Sequence, residues 1–144
     1  MAHLPSADEL GRGSRIEQGY LAADGRVDVR LRRSEGRATL TIKSAAALTR
    51  TEVELPVAPR ESDELWELTG GRRIEKVRHR VDVGEHVAEV DVFGGALHGL
   101  VLVEVEFEDE ATAGTFVPPA WFGREVTGEG AWSNSSLALH GLPR

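Results

Sequence analysis

Along most of the chain, β-branched or leucine residues alternate with charged ones at a period of two. That spacing puts apolar side chains on one face of a strand and charges on the other. Seven segments carry the pattern: residues 15–23, 26–33, 37–43, 49–56, 72–80, 86–93 and 100–108. An antiparallel β protein is predicted. Asp24-Gly25 supplies the positive φ of a tight hairpin between the first two strands, and Ser34-Glu35-Gly36 turns the next pair. Pro56 and Pro59 are expected to end the fourth strand, because proline brings no N–H to the ladder. Ser62 then stands as a helix cap, with Leu65, Trp66 and Leu68 as the apolar stripe and Gly70-Gly71 as the stop. Beyond Phe107 the pattern is irregular, and residues 121–127 and 133–140 read as short helices. No repeat or linker divides residues 1–144, so a single domain is expected.

The 144 residues include no cysteine, which excludes disulfides, thiolate metal sites and cysteine nucleophiles. A net charge of −7 argues against a general nucleic-acid binder. Neither a membrane span nor a signal peptide is visible, and a cytoplasmic protein is expected. Of 17 basic residues other than histidine, lysine supplies only Lys43 and Lys76.

Both lysines fall on the charged parity of the strands. That parity collects Arg30, Arg32, Lys43, Arg50, Lys76 and Arg78 as cations, and Glu52, Glu54, Glu89, Asp91, Glu104 and Glu106 as anions. The acids come as three i, i+2 doublets, so each pair lies about 6–7 Å apart along a strand. Like charges so close repel in isolation, yet they suit a hard divalent cation, which takes carboxylate oxygens. Arg30 and Arg32 use the same spacing to present two guanidinium forks to a phosphate. Cations for phosphate and carboxylates for a metal, on one sheet face, are the parts of a metal-assisted phosphoryl-transfer site. His79, His86 and His98 have no partner at metal-ligand spacing and read as surface or hydrogen-bonded residues. Gly94-Gly95 joins two strands and reads as a turn.

These residues resemble a known family. Gln18-Gly19-Tyr20-Leu21, Val29-Arg30-Leu31-Arg32, Leu40-Thr41-Ile42-Lys43, Arg50-x-Glu52-x-Glu54, Glu75-Lys76-x-Arg78, Glu89-x-Asp91-x-Phe93 and Glu104-x-Glu106 follow in the order seen in CYTH domains, the triphosphate tunnel metalloenzymes. Pro119-x-Trp121-Phe122-Gly123 and Asn134-x-x-Leu137-Ala138 extend the likeness to the C-terminus. The resemblance implies a mainly β (α+β) fold, an eight-stranded antiparallel tunnel barrel with a few short helices, whose charged parity faces inward. Its outer apolar face would be covered by helices or by a second copy in a homodimer. It also implies that Arg30, Arg32, Lys43 and Arg50 bind a triphosphate substrate, that Lys76 and Arg78 are catalytic, and that the six carboxylates hold Mg²⁺ or Mn²⁺. Hydrolysis of inorganic triphosphate is the implied reaction, with thiamine triphosphatase, class IV adenylate cyclase or a non-catalytic polyphosphate-binding module as alternatives. Such domains open with a Glu-x-Glu-x-Lys strand. Residues 1–17 contain no such spacing, so about seven strands and an open barrel edge are expected.

Overall fold

A computed structural model of the chain describes residues 10–24, 26–44 and 51–143. Its strands are β1 (Ser14–Ala23), β2 (Val27–Ser34), β3 (Arg37–Ser44), β4 (Glu52–Val57), β5 (Arg73–Val83), β6 (His86–Phe93) and β7 (Val101–Val105). They form one antiparallel sheet in the order β4-β3-β2-β1-β5-β6-β7.

Local chemistry sets most of the connections. Asp24 Oδ1 accepts hydrogen bonds from the backbone N–H groups of Arg26 (2.8 Å) and Val27 (3.0 Å), tying the β1–β2 turn. Between the paired residues Ser34 and Arg37, Glu35 and Gly36 take φ of 53° and 76°, the mirror-image turn that matches strand twist. Helix α1 (Pro59–Glu67) then carries the chain from edge strand β4 back across the sheet to β5, which pairs with the free side of β1.

Several boundaries differ from the sequence reading. Pro56 lies within β4, opposite Thr39, because an edge strand has an outward N–H that needs no partner. Pro59 opens α1, where its missing N–H costs nothing, so Ala58 rather than Ser62 is the N-cap, and Ser62 is buried inside the helix. Residues 121–127 form turns and irregular backbone instead of a helix. A helix not foreseen, α2 (Glu110–Thr115), forms where Asp109 Oδ1 accepts from the Thr112 N–H at 2.7 Å. Helix α3 (Asn134–His140) forms as read, capped by the Ser133 hydroxyl.

Apolar residues are buried on both faces. Tyr20, Ile74 and Phe93 lie on the charged parity and pack with Leu97, Leu137 and Ala138, so α3 covers one end of that face. On the opposite face Leu31 is fully buried and α1 packs over β2 and β3. Thr69, just after α1, sits so close to Gly19 that a β-carbon there would lie 2.6 Å from the threonine side chain. Trp66 of α1 is stacked by the guanidinium groups of Arg33 and Arg73, at 4.0 and 4.5 Å from its ring. Farther along, His86, Phe107, Phe116 and Phe122 form an aromatic chain beside β6.

Among the described residues the sheet does not close, and β4 and β7 are its two edges. Seven strands of the expected barrel are therefore seen as one open antiparallel sheet, with both edge strands carrying acids. No helix among the described residues is long and apolar enough to cross a membrane.

Candidate functional site

The registers place the charged parity on a single face. Across the centre of the sheet, Tyr20 stands opposite Arg30, Gln18 opposite Arg32, Arg78 opposite Asp91, and Arg80 opposite Glu89. A cavity of about 450 Å³ opens on this face and is lined by Arg12, Ser14, Ile16, Arg32, Ser34, Arg78 and Arg80.

Two arrangements hold the cations. Arg78 grips Asp91 with both ends of its fork, Nε to Oδ1 at 2.8 Å and Nη2 to Oδ2 at 3.0 Å, and its Nη1 stands 3.3 Å from Glu89. Lys76 shares the same carboxylate at 2.8 Å and also donates to Asn134 Oδ1 of α3 at 3.2 Å. The lysine side chain is 0% exposed and that of Asp91 9%, so this pair is removed from water. Arg32 is held differently. Its Nε donates to Gln18 Oε1 at 2.7 Å, and Gln18 Nε2 donates to the Tyr20 hydroxyl at 3.2 Å. Neither Arg30 nor Arg32 has an ion pair among the described residues, and Arg30 Nε is buried without a hydrogen-bond partner.

The acid–base properties follow. Burial, then repulsion from Arg30 and Arg78, lowers the pKa of Arg32. Burial also lowers that of Lys76, against the pull of Asp91. Burial alone would raise the Asp91 carboxyl, but Arg78 and Lys76 outweigh it and hold the group below the usual carboxylate range. The bond to Asp91 in turn raises Arg78. Four cations, Arg30, Arg32, Lys76 and Arg78, thus meet two carboxylates, Glu89 and Asp91. The surplus positive charge lies on β2, where an anion would find two guanidinium groups without a carboxylate partner among the described residues.

Of the twelve residues singled out from the sequence, these six come together. Lys43 lies on the same face farther out and stands 3.5 Å from Glu52, its partner across β3 and β4. Glu54, opposite Thr41 on edge strand β4, is exposed. Glu104 faces Glu89 directly across β6 and β7, while Glu106 lies beyond the end of β7. Arg50 lies outside the described residues. No three acidic or histidine side chains among the described residues form a ligand group. On this face Glu89, which already has Arg78 and Arg80 beside it, and Glu104 opposite it are the carboxylates whose oxygens could take a hard divalent cation. Gln18, Asn134, Arg12 and Arg80 had been given no part in the site. Arg80 was legible as the next same-parity residue after Arg78; Asn134 and Arg12 had no such signal, because α3 and the segment before β1 reach this face only through the fold.

A single antiparallel sheet with a cation-lined cavity on one face defines an anion-site β protein. No protein-family model matches the sequence. The chain is 40% identical over 126 residues to the inorganic triphosphatase of Nitrosomonas europaea, spanning 86% of this chain and 83% of that protein. It is 36% identical over 130 residues to the inorganic triphosphatase of Acetivibrio thermocellus, spanning 89% and 82%. A crystal structure of an inorganic triphosphatase superposes with a TM-score of 0.79 at 36% identity, covering 99% of this chain and 91% of that one. The chain belongs to the inorganic triphosphatase family.

Proposed function

We propose that the chain is a hydrolase acting on inorganic triphosphate, releasing a terminal phosphate on the charged face of the sheet. The observation that carries this reading is the pair Arg30 and Arg32, unpaired by any carboxylate among the described residues, beside the Arg78–Asp91–Lys76 network. Arg32 and Arg78 on the cavity wall, with Arg30 two residues from Arg32 on the same strand face, suit the repeated oxygens of a short polyphosphate, and positioning with charge neutralisation supplies most of phosphoryl-transfer catalysis. In this reading Arg32 and Arg78 touch the phosphates from the cavity wall. Lys76 stands one step back, where it holds Asp91 and thereby fixes Arg78. Glu89 and Glu104 would hold Mg²⁺ or Mn²⁺, which when bound neutralises phosphate charge and orients water.

The tunnel form of the family completes the picture. A strand bearing Glu-x-Glu-x-Lys, seated between the β4 and β7 edges, would close the sheet. It would bring the acids of β4 into the same enclosure as Glu89 and Glu104. Phosphate release from triphosphate, measured with and without Mn²⁺, tests the proposal. Metal-dependent release that is lost in an Arg30→Ala/Arg32→Ala double variant is the expected result. Binding of triphosphate without release under any metal would instead support a non-catalytic polyphosphate-binding module.

A further inference from the structure

Gln18 is a fully buried polar residue on the charged face, and both ends of its amide are in use. Its orientation is dictated by chemistry: a guanidinium has only donors, so the carbonyl oxygen must face Arg32 and the NH₂ must face the Tyr20 hydroxyl. The same geometry occurs once more nearby. Arg78 Nε is also held by an acceptor on the neighbouring strand, at 2.8 Å, but there the acceptor is the Asp91 carboxylate. One arginine is therefore aimed by a charge and the other by a neutral group. A carboxylate at position 18 would make the same bond to Arg32, and a stronger one, but it would cancel the positive charge it aims.

We propose that Gln18 is a positioning residue of the anion site, aiming Arg32 through a neutral amide so that the guanidinium charge stays uncompensated for a phosphate ligand. The inference rests on the triphosphate reading of that site. Fixing Nε leaves both Nη groups of Arg32 for the cavity, and Tyr20, packed in the core against Ile74 and Phe93, keeps the amide from rotating away. A glutamine kept only to fill space would tolerate any isosteric replacement without loss of binding.

Gln18→Glu is that replacement, and its expected signature has two opposite signs. The new carboxylate pairs with Arg32, so the thermal midpoint stays level or rises, while affinity for triphosphate in metal-free buffer falls by about tenfold or more. In steady-state assays the loss falls mainly on KM, with kcat changing less. Gln18→Leu removes the acceptor altogether; it should lose affinity to a similar degree and lose stability as well, because Arg32 Nε is left unpaired. Arg32→Ala is the reference. Where it weakens binding but Gln18→Glu binds triphosphate as the unaltered chain does, the proposal is overturned. If Gln18→Glu does not fold, unaltered affinity in Gln18→Leu overturns it equally. Unchanged affinity in Arg32→Ala would remove the anion site itself, and this inference with it.

Discussion

At the scale of single residues, the charged face is decided by who is paired with whom. Arg30 and Arg32 have no carboxylate partner among the described residues, so replacing both by alanine should weaken triphosphate binding by at least about tenfold at fixed salt, given roughly 1.5–3 kcal/mol for each hydrogen bond to a charged group. Calorimetry reads this directly. Asp91 is the opposite case, because it is committed to two cations and held below its ordinary pKa. A carboxylate whose folded pKa is depressed adds stability above the unfolded value, about 3.9, and that stability is lost as pH falls through the folded value. Thermal midpoints should therefore hold between about pH 7 and 5 and drop below about pH 4. In Asp91→Asn the acid-side drop should shrink, while the buried Lys76 ammonium, left without its counter-charge, costs about 3 kcal/mol or more near neutrality.

At the scale of elements, two helices fix the sheet from opposite sides. Helix α3 closes one end of the charged face through Leu137, which is 2% exposed among Tyr20, Ile74 and Phe93. Leu137→Ala should cost about 2–5 kcal/mol in denaturant unfolding, since a side chain so enclosed leaves a cavity. Because Asn134 begins the same helix and accepts from Lys76, that variant should also lower activity beyond its effect on the folded fraction. Helix α1 is seated from the other face, where Thr69 meets Gly19. Gly19→Ala should destabilise by about 1–3 kcal/mol, because the new methyl group must displace the threonine and lift the end of α1. A midpoint as high as that of the unaltered chain would mean that α1 adjusts freely there.

At the scale of the whole molecule, the site lies on the central strands β2, β1, β5 and β6, while Glu52, Glu54 and Glu104 lie on the edge strands β4 and β7. Triphosphate alone should therefore stabilise the fold, since a ligand bound only by the native state adds about 2.7 kcal/mol at a hundredfold excess over its Kd. A rise in thermal midpoint with triphosphate, absent in the double arginine variant, is the expected result. Turnover should be kept in the unaltered chain and lost in the double arginine variant, because positioning and charge neutralisation of the phosphates supply most of phosphoryl-transfer catalysis. Phosphate release measured for both forms decides this.

Period-two alternation was enough to locate seven strands within a few residues and to put Arg30, Arg32, Lys76, Arg78, Glu89 and Asp91 on one face, because side-chain direction on a strand is a local, geometric property. Turn chemistry at Glu35-Gly36 was legible for the same reason, whereas the positive φ expected at Gly25 lies outside the described residues. What local pattern does not contain is which strands become neighbours and what packs over them. The return of α1 to β5 made β1 central, and only that put Gln18 beside Arg32 and set β4 and β7 at opposite edges. Asp91 became a shared partner of Lys76 and Arg78 because cross-strand register and burial together reward pairing over exposure. Helix α3 on the charged face was likewise a tertiary outcome: an alternating strand offers two faces, and long-range packing alone selects which residues are removed from water.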